Sequence, residues 1–195
     1  MKNILITGQP GSGKTTVIRK LSEIFKEFNA TGFYTAEILE AGARTGFSVA
    51  SLFGDSRVFA HVNLNSKHAV GKYHIDIKGF DALLDTIFAP EKKTNIHFID
   101  EIGKMECQSK KFSKLIIDLL NGKKPVIASI SDKGIGLITD IKKRNDVKLV
   151  EVRNDCIQCT LLGKAFNNDV SSVLATSSAR CIGQPQAIQL MNDGL

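Results

Sequence analysis

The chain has 195 residues, 43% of them hydrophobic and 24% charged, with 26 basic against 20 acidic side chains and a net charge of +6. That length suits one domain over 1–195, with room for a small insertion, and the composition is that of a soluble globular protein with a real core. No apolar run is long enough to span a bilayer. The apolar stretch before Thr7 is too short for a signal-peptide core, so a cytoplasmic location without membrane contact is expected.

The first unit is a buried strand at 3–7, built on Ile4-Leu5-Ile6-Thr7. Gly8-Gln9-Pro10-Gly11-Ser12-Gly13-Lys14-Thr15 follows and spells a Walker A loop. A helix at about 14–28 comes next, because Val17, Ile18, Leu21, Ile24, Phe25 and Phe28 share one face. Strand, glycine loop and helix in that order are what a phosphate-binding loop requires. The glycines let successive N–H groups turn inward around an anion, and the helix start adds its positive dipole end. Lys14 is expected on the β- and γ-phosphates, the Thr15 hydroxyl on Mg²⁺ and the Thr16 hydroxyl at the α-phosphate.

Strands are expected at 33–39, 47–53 and 57–62, joined by turns at 41–46 and 54–56 and pairing antiparallel as a hairpin insertion. Residues 63–72 read as an exposed loop, and Tyr73–Ile77 as a short extended piece. Phe80, Leu83, Leu84, Ile87 and Phe88 mark an amphipathic helix ended by Pro90. Asn95-Ile96-His97-Phe98-Ile99-Asp100-Glu101 is an apolar strand ending in two acids, the Walker B pattern. Asp100 is the candidate Mg²⁺ ligand beside Thr15. Glu101, with Lys14 the candidate catalytic pair, is placed to orient or deprotonate the attacking water. A helix at about 109–120 capped by Ser109, a buried strand at 125–130, a short helix at about 135–144 and a strand at 147–152 complete an alternating pattern. It implies a mostly parallel sheet covered on both faces. The core therefore spans about 1–152, and 153–195 reads as an atypical tail with at most a weak helix.

Gly32-Phe33-Tyr34-Thr35-x-Glu37-Ile38, Gly46-Phe47, Val70-Gly71-Lys72-Tyr73 and above all Asp100-Glu101-Ile102-Gly103-Lys104-Met105-Glu106 resemble the cancer-related nucleoside triphosphatase family, in order and spacing, from residue 1 to about 152. The resemblance implies a three-layer α/β P-loop NTPase fold related to the RecA-like group. It also implies Mg²⁺-dependent hydrolysis of nucleoside triphosphates to diphosphate and phosphate, with loose base selectivity and slow turnover. The family's motifs transfer to Gly8 through Thr16 and to Asp100 and Glu101. Ser131-Asp132-Lys133 stand where that family carries a histidine and arginines, and Arg153-Asn154-Asp155 only echoes its closing segment.

Other readings share the loop. A nucleotide or small-molecule kinase needs an acceptor site with an arginine-bearing lid, and no such cluster is visible. A nucleic-acid-linked ATPase suits the basic balance. Arg44 is either a lid cation or an exposed hairpin residue. Phe33 and Tyr34 either stack on a base or belong to a strand. Glu37 is either near the metal or solvent-facing, and Lys104 either touches phosphate or neutralises Glu101 or Glu106. The clusters Lys110-Lys111, Lys123-Lys124 and Lys142-Lys143-Arg144 read as solvated helix surface. Cys107, Cys156, Cys159 and Cys181 read as free thiols rather than a zinc site, and His97 as a hydrogen-bonded core residue.

Overall fold

Strand β1, Asn3–Thr7, is buried at every position, as expected of a strand covered on both faces. Alternation sends Ile4 and Ile6 to one face, where they meet Val17, Ile18 and Leu21 of helix α1 (Lys14–Ile24) and Phe25 just beyond it. Leu5 points the other way, into the larger cluster. The computed structural model describes residues 2–52, 54 and 56–152. Cys156, Cys159, Cys181, Arg153-Asn154-Asp155 and the weak helix expected in the tail lie outside the described residues.

Helix α1 stops earlier than its apolar period suggests. A 3-10 turn takes over at Lys26–Phe28, and Asn29 then adopts φ 52°, a left-handed conformation that ends the helical run. Strands β2 (Ala30–Glu40) and β3 (Ala43–Ser51) form a long hairpin. Its turn is only Ala41 and Gly42, both at positive φ, so the strand resumes at Ala43 where a turn through residue 46 was expected. Paired positive-φ residues match the right-handed twist of the flanking strands. Strand β4 (Ser56–His61) follows, and the expected loop at 63–72 contains a two-residue strand, β5 (Ala69–Val70), paired with β6 (Tyr73–Ile75).

Helix α2 (Ile77–Ile87) is capped by Asp76, whose carboxylate accepts from the Gly79 N–H. Strand β7 (Ile96–Ile102) leads to helix α3 (Lys110–Asn121), where Ser109 caps as expected by accepting from the Phe112 N–H at 2.9 Å. Strand β8 (Val126–Ile130), the short helix α4 (Leu137–Lys142) and strand β9 (Val147–Glu151) complete the described chain. Gly136, at φ 57°, delays the start of α4.

The nine strands of the described residues join one sheet in the order β5-β6-β4-β3-β2-β7-β8-β1-β9. From β2 to β9 every pairing is parallel, and from β2 outward to β5 every pairing is antiparallel. The expected insertion is thus a continuation of the core sheet, and β2 belongs to both parts. One face carries α1 and the other carries α2, α3 and α4, making the three layers of an α/β P-loop fold. Phe33, Phe80 and Phe112 meet at centroid separations of 5.6–6.0 Å in the larger cluster.

Two buried positions have sharp local constraints. His97 is in the core beside the Phe88 ring, yet its Nδ1 has no partner among the described residues, against the expected hydrogen bond. Burial, helped by the Lys124 charge, lowers its pKa to about 4, so the ring is neutral. Gly32 lies opposite Phe98 where β2 runs beside β7, and a Cβ there would overlap the Phe98 carbonyl.

Gly32→Ala is expected to push β2 off β7 and to destabilise the fold by about 1–3 kcal/mol. Thermal unfolding of the purified variant checks this, and an unchanged midpoint contradicts it.

Candidate active site

The carboxyl ends of β1, β8 and β7 lie side by side, which is where open parallel sheets bind ligands. The β1 end runs directly into the glycine loop. Gly8, Gly11 and Gly13 have φ of 151°, 78° and 90°, conformations that residues with a Cβ rarely adopt. A Cβ on Gly8 would also strike the Val152 carbonyl and stand 2.8 Å from Ser12 Oγ. Gly13 is the N-cap of α1 and supplies no side-chain cap, so the first-turn N–H groups are available to an anion. Ser12 Oγ is buried and has no hydrogen-bond partner among the described residues. An orphaned hydroxyl inside a glycine loop that opens a helix fits a phosphate cradle.

Lys14 curls back over the loop, its Nζ donating to the Gly8 carbonyl at 3.0 Å and the Gln9 carbonyl at 3.2 Å. Gln9, Pro10, Gly11 and Thr16 are exposed along the loop and the first helical turn.

Asp100, at the end of β7, is fully buried. Hydroxyls of Ser129 and, at 3.4 Å, Thr35 donate to its carboxylate, and the Thr15 hydroxyl and Thr35 N–H lie near enough to favour its charged form. Burial raises its pKa and these donors oppose the rise. The Walker A and Walker B residues, far apart in sequence, therefore come together, with the Thr15 hydroxyl beside the Asp100 carboxylate. A hydroxyl and a desolvated carboxylate whose partners are all neutral donors suit a hard divalent cation such as Mg²⁺, which takes few protein ligands and completes its shell with phosphate and water.

Glu101 is half-buried. Its pKa is raised by burial and by Asp100, and lowered by the Ser131 hydroxyl and by the charges of Lys14 and Lys142. Ser131 Oγ donates to Glu101 Oε1 at 2.5 Å. The serine that departs from the family pattern is thus the group that orients Glu101. A third acid, Glu106, is buried close by. Glu106 Oε2, Ser131 Oγ and Glu101 Oε1 lie 2.7, 3.2 and 3.5 Å from the single point a Cβ on Gly103 would occupy. Burial first, and the Glu101 charge second, push the Glu106 pKa up to about 8, so it is mainly a neutral acid at pH 7.

The sequence gives no role to Thr35, Ser129, Ser131, Glu106 or Lys142. Thr35 and Glu106 stand inside the segments that carry the family resemblance, the one signal that marks them. Lys142 corrects the reading of its cluster as solvated helix surface: its Nζ donates to the Asp132 carbonyl at 2.7 Å and lies 3.4 Å from Thr7 Oγ1.

Other candidates fall away from the loop. Arg44 is held by Glu37 at 2.5 Å and by the Tyr73 hydroxyl at 3.1 Å, over the Phe47 ring. Phe33 is a core residue, Tyr34 lies under the Arg19 guanidinium at 4.7 Å, and Lys104 is exposed. Burial pushes the Cys107 thiol up to about 12, unfavourable for a nucleophile or zinc ligand. Among the described residues no group of three or more His, Cys, Asp or Glu side chains is arranged to hold a metal, and no helix is long and apolar enough to cross a membrane.

The family model described as NTPase matches residues 3–158. The nucleoside-triphosphatase THEP1 of Thermotoga maritima is 38% identical over 172 residues, covering 88% of this chain and 94% of that protein. The crystal structure of THEP1 from Aquifex aeolicus superposes with a TM-score of 0.70 at 31% identity, covering 78% of this chain and 91% of that one. The solution structure of a human cancer-related nucleoside triphosphatase also gives 0.70, at 28% identity, covering 92% and 100%.

The raised pKa of Glu106 sets a sign. Below about pH 4.5 the acid is neutral folded and unfolded. As pH rises towards about 8 only the unfolded chain ionises, and stability is lost. Glu106→Gln is expected to flatten the fall in melting temperature between pH 5 and pH 8.5; equal slopes for variant and parent contradict a neutral buried acid.

Proposed function

Since the chain belongs to the NTPase family, we propose that its hydrolysis of nucleoside triphosphates depends on magnesium, is slow, and discriminates little among the bases. Nucleoside-triphosphatase activity itself comes with the family. The observation that carries the finer reading is the meeting of Thr15 and Asp100 beside a glycine loop, with Glu101 next to them.

In this reading the amides of Gly8–Thr16 and Lys14 hold the triphosphate. Thr15 and Asp100 would hold a magnesium ion, which would supply charge neutralisation for the phosphate oxygens when bound. Glu101, aimed by Ser131, accepts a proton from the water that attacks the γ-phosphorus. The bond from the γ-phosphorus to the bridging oxygen breaks, and its electron pair leaves with the diphosphate. Lys14 and the loop amides stabilise the charge that builds on the phosphoryl oxygens.

Little base selectivity follows from a grip built on phosphate, which all nucleoside triphosphates share. Slow turnover is what the family resemblance implies, and Ser131, Asp132 and Lys133, standing where it has a histidine and arginines, add no arginine to speed it. A lysine there lacks the guanidinium fork, and Lys133 is exposed.

Phosphate release from ATP, GTP, CTP and UTP, with magnesium and with chelator, tests the reading. Comparable slow rates lost with chelator are expected, and a single strongly preferred base or metal-independent release contradicts it. Lys14→Ala is expected to abolish nucleotide binding or hydrolysis. Glu101→Gln is expected to keep nucleotide affinity and lose about 100-fold or more in kcat; near-normal turnover removes Glu101 from its role.

A further inference from the structure

The three consecutive basic residues at and just after the end of α4 do three different things. Arg144 forks onto Asp146, at 2.8 and 2.9 Å, and bonds Asn121. Lys143 is exposed. Lys142 reaches back to the sheet's carboxyl edge through its long side chain, since α4 itself runs from the end of β8 towards the start of β9 at Val147. Its ammonium bridges the loop after β8, at the Asp132 carbonyl, and the last residue of β1, at the Thr7 hydroxyl. Thr7 immediately precedes Gly8.

Two lysines therefore flank the start of the glycine loop. Lys14 holds the carbonyls of Gly8 and Gln9, and Lys142 stands at Thr7. Both charges reach the Glu101 carboxylate. Among the described residues Lys142 forms no ion pair. Its partners are a carbonyl and a hydroxyl, and 3.4 Å is long for a hydrogen bond to the latter. A half-buried ammonium held by neutral acceptors exchanges them readily for an anionic oxygen, since charge-assisted hydrogen bonds are about twice as strong.

We propose that Lys142 is a second catalytic cation supplied by the chain itself, moving from Thr7 onto an oxygen of the transferring phosphoryl group. This rests on the hydrolytic reading above and deepens it. Lys142 forms no covalent bond and gives up no proton. Its contribution is greater in the transition state than in the bound substrate, because charge on the transferring group is redistributed there. It occupies, from α4, the electrostatic role that the residues after β8 do not fill.

The test compares Lys142→Gln and Lys142→Met with Lys143→Met and Glu101→Gln. It measures kcat and KM for Mg·ATP, affinity for Mg·ADP, and affinity for Mg·ADP with aluminium fluoride, which mimics the transferring group. Both Lys142 variants are expected to lose about 100-fold in kcat with KM and Mg·ADP affinity within about twofold, and to lose the extra affinity for the fluoride complex. Lys143→Met is expected to behave as the parent. Lys142→Gln keeps a donor for the Asp132 carbonyl, so it also covers the case in which Lys142→Met does not fold. A folded Lys142→Gln with parental kcat overturns the proposal, and so does an equal loss of affinity for Mg·ADP and its fluoride complex. If the parent releases phosphate and Glu101→Gln does not, such a result sinks the Lys142 role alone. A parent that releases no phosphate removes the hydrolytic reading and this proposal together.

Discussion

Asp100 is fully buried, and among the described residues its carboxylate forms no ion pair. Three hydroxyls and a backbone N–H surround its carboxylate, from Ser129, Thr15 and Thr35. Burying an ionised carboxylate is costly unless it is well hydrogen-bonded or paired. The neutral donors offset part of that cost and burial still raises the pKa, so the site carries an unmet demand for positive charge. Much of the surrounding architecture serves this one group: β8 supplies Ser129, the first turn of α1 supplies Thr15, and the long strand β2 supplies Thr35.

That convergence depends on strand order. With β8 between β7 and β1, the acids of β7 are one strand removed from the glycine loop. Serines on β8 and in the loop after it fill the interval: Ser129 reaches Asp100 and Ser131 reaches Glu101. Apolar cover holds the order in place, with α1 on one face and three helices on the other. Closeness of β2 to β7 at Gly32 keeps Thr35 within reach of Asp100. Packing far from the chemistry thereby sets distances within it.

The charges near Glu101 are graded. Glu106 is held neutral by burial, which avoids a third negative charge beside Asp100 and Glu101. Lys14 and Lys142 approach from the loop side. Two ionisable acids, one neutral acid and two ammonium groups form an arrangement in which added phosphate and magnesium bring nearly compensating charges. Coulombic interactions of this kind gain strength where water is excluded.

Composition, period and motif determined the alternating α/β architecture, the glycine loop and the two acids, because those signals are local: a strand, a turn and a helix announce themselves within a few residues. The Ser109 cap and the paired cover of the sheet were legible for the same reason. Turn geometry at Ala41–Gly42 and the end of the helical run at Asn29 were not, since both hang on one or two residues at positive φ that no periodicity records. Nor does local sequence separate the three basic residues at and just after the end of α4, or distinguish Ser131 and Glu106 from ordinary loop positions. Which side chains meet at Asp100 and Glu101 is set by strand order and by close approaches between segments about 30 to 135 residues apart, and only the folded chain, where packing fixes those distances, decides it.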